Sequence, residues 1–243
     1  MARFGLIGKN IDYSFSRGYF GDKFKASGLD HTYENVDLQS TEELAAFFEQ
    51  PLPFQGLNVT IPYKAAVIPY LDELDSVAEA IGAVNTIKIT ADGRKIGYNT
   101  DHYGFLKALE PFLPLEDRSA LILGTGGAAA AIVHTLANLD FRIQFVSREA
   151  SDSALSYEQV SRYVILDHLL IVNCTPLGTH PHTEQSPAIP YDFITNNHLL
   201  FDLVYNPEVT TFMKNGAKLG AATTNGYQML VGQAEKAWEI WNS

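Results

Sequence analysis

The sequence predicts an α/β protein built in two parts, with parallel strands in its sheets. Three observations carry that expectation. Short apolar runs alternate with stretches of helical spacing, the rhythm of strand–helix–strand units. A second such series begins near Ser119, after the proline-containing patch Glu110–Asp117, which is the best candidate boundary between the halves. The apolar run Leu121-Ile122-Leu123 then passes through Gly124-Thr125-Gly126-Gly127 into a helical stretch.

The elements follow in order. Ala2–Gly8 is apolar and ends in glycine, as a short buried strand does. Ser16–Ser27 places Tyr19, Phe20 and Phe24 at helical spacing, with Gly28 as a stop. Thr32–Leu38 alternates like a strand. Ser40-Thr41-Glu42-Glu43 reads as a capping box opening a helix over Thr41–Glu49. Gly56–Ile61 is a third strand, Lys64–Leu71 a short helix, and Ser76–Ile81 a helix stopped by Gly82. Val84–Ile89 and Lys95–Asn99 flank Ala91-Asp92-Gly93-Arg94 as a hairpin. In the second half Ser119–Leu123, Phe141–Ser147, Leu169–Cys174 and Leu199–Tyr205 read as strands, and Ala128–Leu139 as a helix. His180–Pro190 is a loop, and Gly226–Trp241 is an amphipathic helix carrying Met229, Leu230, Ala234, Ala237, Trp238 and Trp241.

Composition excludes several classes of function. With 243 residues, 46% hydrophobic and 19% charged, the chain is neither disordered nor a coiled coil. No apolar stretch is long enough to span a bilayer, and the first residues lack the features of a signal peptide, so a cytoplasmic protein without membrane contact is expected. A formal charge of −11 repels nucleic acid. The single cysteine, Cys174, excludes an internal disulfide and a cysteine-based zinc site; in its apolar run it reads as an inert packing residue. His180 and His182 sit in a proline-rich loop with no carboxylate or cysteine at ligand spacing, so no metal is expected there.

The segment Gly124-Thr125-Gly126-Gly127-Ala128-Ala129 is a G-x-G-x-x-A pattern between a strand and a helix. Gly124 permits the tight turn, and Gly126 lets the backbone approach a pyrophosphate. Ala129 lets helix and strand pack closely, and the helix N-terminus, beginning near Gly127 and Ala128, favours negative charge. These are the marks of a dinucleotide site, although a tight turn without a ligand would use the same glycines. The next strand selects the cofactor. It ends Val146-Ser147-Arg148-Glu149. Arg148 suits a 2′-phosphate and so NADP, while the neighbouring Glu149 keeps NAD possible.

A second constellation is polar. Gly56-Leu57-Asn58-Val59-Thr60-Ile61-Pro62-Tyr63-Lys64 ends a strand in polar groups and a lysine. Gly82-Ala83-Val84-Asn85-Thr86 and Gly97-Tyr98-Asn99-Thr100-Asp101 repeat the theme, and Ser14 and Ser16 lead into a helix. Singly these are turn and cap residues. Together they suit a ligand with several hydroxyls and a carboxylate.

These segments resemble the shikimate dehydrogenase family. The likeness extends through Asn173-Cys174-Thr175-Pro176-Leu177-Gly178, Asp202-Leu203-Val204-Tyr205-Asn206-Pro207 and Gly226-Tyr227-Gln228-Met229-Leu230-Val231-Gly232-Gln233-Ala234, in the family's order over nearly the whole chain. The resemblance implies an N-terminal α/β substrate domain, residues 1–101, with the C-terminal helix 226–243 packing back onto it. It implies a Rossmann-type doubly wound NADP-binding domain over residues 102–225, with the active site in the cleft. The implied reaction is the reversible reduction of 3-dehydroshikimate to shikimate in aromatic amino acid biosynthesis.

By the same resemblance Lys64 and Asp101 are the catalytic pair. Ser14, Ser16, Thr60, Asn85 and Gln233 bind substrate, with Asn58 and Tyr205 nearby. Gly124, Gly126, Gly127, Ala128, Ser147, Arg148, Thr175 and Gly226 are the implied cofactor residues. The bland alternatives are that Lys64 is an exposed lysine at a helix start, and Asp101 a cap of the helix beginning at His102. Lys64 would act as an acid toward the ketone if a neighbouring carboxylate holds its proton, or as a base toward the alcohol if burial dominates.

The chain departs from the family in places. Arg17 stands where proline is usual and Phe20-Gly21 where His-Asn is usual. The cofactor motif is Ser147-Arg148-Glu149, Thr179 stands for methionine, and Ala150–His168 is abbreviated. Two other readings follow: an NAD-using quinate/shikimate dehydrogenase, and a catalytically silent NADP-binding regulatory protein. Monomer and homodimer are both open.

Overall fold

The structure, a computed structural model, describes residues 1–12, 14–115 and 117–243. The chain divides into two compact units, one of residues 1–100 with 234–243 and the other of residues 101–233. Among the described residues the strands form two six-stranded sheets, one in each unit.

The first unit runs β1 (Arg3–Gly8), α1 (Phe15–Ala26), β2 (Thr32–Asp37), α2 (Thr41–Phe48), β3 (Gly56–Val59), β4 (Glu73–Leu74), α3 (Ser76–Ile81), β5 (Thr86–Ile89) and β6 (Lys95–Tyr98). Its sheet order is β2-β1-β3-β5-β6-β4. β1 lies parallel to both β2 and β3, whereas β5 and β6 form the expected antiparallel hairpin. From Phe4 onward β1 is apolar and buried, because both its faces are covered. One face meets Leu44, Leu57, Val67 and Ile87. The other meets Phe20, Phe24, Ala237 and Trp241. α1 stops where Gly28 takes φ +64° and Leu29 N–H reaches back to the Phe24 carbonyl at 2.9 Å. At α2 the capping box is half formed. Ser40 accepts from Glu43 N–H, but the Glu43 carboxylate takes the N–H of Gln39 instead of that of Ser40.

The helix expected over Lys64–Leu71 is replaced by turns and a short 3-10 segment, Ile68–Tyr70. The reason is local. The Lys64 carbonyl, which an α-helix would give to Ile68, accepts instead from Val84 N–H at 2.7 Å. Pro69 further disfavours α geometry at Ile68.

The second unit holds α4 (Asp101–Leu109), β7 (Ser119–Leu123), α5 (Gly127–Asn138), β8 (Arg142–Ser147), β9 (Ala154–Ser156), α6 (Arg162–Leu166), β10 (Leu170–Asn173), β11 (Leu199–Asp202), α7 (Thr211–Ala217), β12 (Ala222–Thr224) and the start of α8 (Tyr227–Asn242). All six strands are parallel, in the order β12-β11-β10-β7-β8-β9. This is the doubly wound Rossmann arrangement, in which the strand order reverses between β7 and β10. The Glu110–Asp117 patch lies within this unit rather than at its border. Phe112, Leu113 and Leu115 pack on a core that includes Phe105, Ile122 and Phe201. β8 and β9 are joined by residues 148–153 without a helix, where the sequence is abbreviated.

Candidate functional site

The first unit gathers the polar residues at the carboxyl end of β3. Asn58 is buried, and its amide is fully committed. Nδ2 donates to the Asn85 carbonyl and to Thr86 Oγ1, both at 3.2 Å, while Oδ1 accepts from the Tyr33 hydroxyl at 2.8 Å. Tyr33 also shares a hydrogen bond with Ser16; burial pushes its hydroxyl far up, and that bond offsets part of the rise. Asn85 Oδ1 accepts from Thr100 N–H at 2.6 Å and from the hydroxyls of Thr86 and Thr100, each at 3.1 Å. Any contact between Asn85 and a ligand therefore runs through Nδ2. Asn99 Nδ2 anchors the Ala83 carbonyl at 2.9 Å.

This network ties Ser16, Asn58 and Asn85 together. Thr60 and Lys64 are held beside it by backbone. Thr60 N–H donates to Ile7, Tyr63 N–H returns to Thr60, and the Lys64 carbonyl is fixed by Val84. Both residues are half-buried. Ser14 precedes α1 at its N-cap position, but its side chain makes no capping bond.

In the second unit Asp101 is the first residue of α4 and is 8% exposed. Gln233 is buried on α8. These two helices cross with their backbones nearly touching. A Cβ on Gly104 would lie 2.3 Å from the Met229 carbonyl oxygen and 2.9 Å from Gln233 N, and one on Gly232 would lie 3.1 Å from Gly104 Cα. Glycine at both positions lets the helices approach that closely.

The glycine turn lies at the end of β7, beside the reversal of strand order. Gly124 has φ +100°, and a Cβ there would meet Thr175 Cγ2 at 3.0 Å. Gly126 and Gly127 are exposed, with open space where their Cβ atoms would stand. Gly126 is the N-cap of the 12-residue α5, Gly127 and Ala128 open the helix, and Ala129 is buried. The helix N-terminus thus presents bare backbone N–H groups, as a phosphate requires. Ser147 bonds its hydroxyl to the Glu149 carbonyl. Arg148 is exposed, and among the described residues its guanidinium pairs with no carboxylate, Glu149 included. The turn and Arg148 therefore fit a dinucleotide with a 2′-phosphate.

Thr175 follows β10. Its N–H and hydroxyl both go to Asn173 Oδ1, at 3.0 and 2.6 Å. Tyr205 is half-buried after β11. Gly226 is buried against the Leu203 carbonyl, where a Cβ would come within 2.1 Å, so close packing already demands glycine there. Burial and the nearby Asp202 charge push the Cys174 thiol far up, which disfavours its thiolate form. His180 and His182 are exposed, and among the described residues no group of three or more His, Cys, Asp or Glu side chains could hold a metal ion.

Sequence reasoning assigned no role to Tyr33, Asn173 or Asp202. Asn173 and Asp202 stood inside the quoted motifs, and their joint position at two strand ends was the available signal. Nothing in the alternation of β2 marked Tyr33.

A parallel sheet with a bare glycine turn at its reversal point, joined in one chain to an α/β unit with amide and hydroxyl groups at its strand ends, defines a dinucleotide-binding protein with a small-molecule site. Comparison with known proteins narrows this. Residues 6–87 match the family model of the shikimate dehydrogenase substrate binding domain. The NADP(+) shikimate dehydrogenase of Methanosphaera stadtmanae is 37% identical over 98% of this chain and 90% of its own length. A shikimate dehydrogenase crystallised with NADP+ superposes with a TM-score of 0.89 at 34% identity, covering 99% of this chain and 90% of that one. The Thermus thermophilus enzyme in complex with NADP(H) and shikimate gives 0.87 at 30% identity, covering 99% and 93%. The chain belongs to the shikimate dehydrogenase family.

Proposed function

We propose that this protein catalyses the reversible NADP-dependent interconversion of shikimate and 3-dehydroshikimate. The observation that carries the reading is the match, over nearly all of both chains, to shikimate dehydrogenases named as NADP(+)-dependent. Supporting it, the glycine turn is open at the α5 N-terminus and Arg148 is unpaired among the described residues.

Gly124, Gly126, Gly127, Ala128, Ser147, Arg148, Thr175 and Gly226 would hold the cofactor. NADP, when bound, supplies the hydride acceptor for the substrate's C3 hydrogen. The protein's part is to position the substrate and to move a proton at the C3 oxygen. Lys64 takes that proton from the alcohol, or returns it to the ketone in the reverse direction, and Asp101 orients the lysine and supports its positive charge. Supporting the role of Lys64, its backbone is pinned where its carbonyl accepts from Val84 N–H. Ser14, Ser16, Thr60, Asn85, Tyr205 and Gln233 bind the hydroxyls and carboxylate. Asn58 serves them from behind, since both its amide hydrogens are already used.

The protein acts on small molecules in the cytoplasm, as a monomer or homodimer, without nucleic acid. The charge of −11 supports the last point, and among the described residues no helix is long and apolar enough to cross a membrane. The test is nicotinamide absorbance with shikimate or quinate and with NADP or NAD, in all four combinations. Turnover fastest with shikimate and NADP is expected. Fastest turnover with quinate and NAD would make the protein a quinate dehydrogenase, and silence in all four would make it a regulatory binder.

A further inference from the structure

Asp202 ends β11 fully buried, and among the described residues no cation is one of the groups that act on it. Isolating a carboxylate in this way is costly unless its oxygens are satisfied. Here they are, by three donors from three segments. Oδ1 accepts from Asn173 Nδ2 at 2.9 Å and from Val204 N–H at 3.0 Å, and Oδ2 accepts from the Thr210 hydroxyl at 2.6 Å. Thr210 in turn caps α7 through Met213 N–H.

The Asn173 arm leads to the glycine turn. With Nδ2 anchored on Asp202, Asn173 must present Oδ1 to the other side. There it takes both the N–H and the hydroxyl of Thr175. The Thr175 oxygen accepts from Leu177 N–H at 3.3 Å, and its methyl group stands against Gly124. The orientation of one amide thus sets the loop after β10 beside the turn after β7, on either side of the reversal of strand order.

We propose that Asp202 is a positioning residue for the cofactor, acting through Asn173 to hold Thr175 beside the Gly124 turn. This rests on the reading that the second unit binds NADP. The Thr210 arm gives an internal control, because it supports α7 without passing through Asn173.

The test is the dissociation constant for NADPH, read from its fluorescence, with the shikimate KM and melting temperature of each variant. Asp202→Ala should weaken NADPH binding about tenfold, the effect of one lost charged hydrogen bond. Thr210→Val should lower the melting temperature but leave NADPH binding unchanged. Unchanged binding in a folded Asp202→Ala, or equal weakening in Thr210→Val, overturns the proposal. If Asp202→Ala does not fold, Asn173→Ala removes the same arm, and undiminished NADPH binding there overturns it too. A wild-type protein that binds NADPH but does not turn over shikimate would sink the functional reading and leave this test intact.

Discussion

The Tyr33 hydroxyl donates to Oδ1 of Asn58 at 2.8 Å and so links β2 to the end of β3. Its ring stacks on Phe20 with centroids 4.7 Å apart, and its oxygen also meets Ser16. One phenol therefore couples the α1 serine to the amide network behind Asn85. Tyr33→Phe keeps the stacking and removes only the oxygen. It should cost about 1 kcal/mol of stability. The KM for shikimate should rise while that for NADP stays unchanged, and steady-state kinetics with each substrate varied in turn would check this split.

Lys64→Ala should lower kcat by about a hundredfold or more while changing the KM for shikimate little, since the group acts on the proton rather than on binding. Equal losses in kcat and in affinity would reduce Lys64 to a binding residue.

Arg148→Gln should raise the KM for NADP much more than that for NAD, because the guanidinium's contribution is to the 2′-phosphate. Parallel rises for both cofactors would assign Arg148 to the structure of the β8 turn.

Burial pushes the Asp202 carboxyl up to about 6, against the pull of the hydrogen bonds from Thr210, Val204 and Asn173. A folded-state value above the unfolded one means that the native protein binds the extra proton between about pH 4 and pH 6. The associated stability is complete below that window and is lost as pH rises through it. Of the titratable groups facing Asp202, Tyr191 is raised to about 12 and Cys174 higher still, so neither titrates there. Asp202→Asn keeps an acceptor for Asn173 and removes the titration. Relative to this variant, wild-type unfolding free energy should fall by about 3 kcal/mol across the window, in denaturant melts at stepped pH.

Gly104→Ala forces a methyl group against the Met229 carbonyl and the Gln233 backbone, and neither is a flexible side-chain end. The helices must separate, at a cost of about 1–3 kcal/mol. Because Asp101 and Gln233 ride on those two helices, shikimate turnover should suffer beyond what the lower melting temperature explains.

Much of this architecture was legible in the residues. The long apolar strands, the glycine turn and the stops at Gly28 and Gly82 announced themselves because period and punctuation agree there. What stayed hidden depended on distant partners. The Lys64 segment has a helical pattern, yet Val84 claims the carbonyl that a helix would need. β4, β9 and β12 are two or three residues long, too short to show a period. α7 contains Asn215 and Gly216 and relies on the Thr210 cap. Within the candidate site, the residues expected to touch ligand carried signature motifs. Of those that brace them, Tyr33 is defined by hydrogen bonds across strands, which no local pattern encodes, while Asp202 heads a quoted motif but shows its role only through its distant partners.

The last turns of α8 belong to the first unit, where Trp241 stacks on Phe4 at 4.8 Å and donates to the Ile87 carbonyl. Gly56 leaves the indole its place, since a Cβ there would lie only 2.2 Å from the Trp241 ring nitrogen. On the ribosome, then, the portion made first cannot close its aromatic centre until residues 101–233 have also been synthesised. Residues 1–100 released alone would leave Phe4, Phe20 and Phe24 facing water, a sticky intermediate for chaperones to shelter.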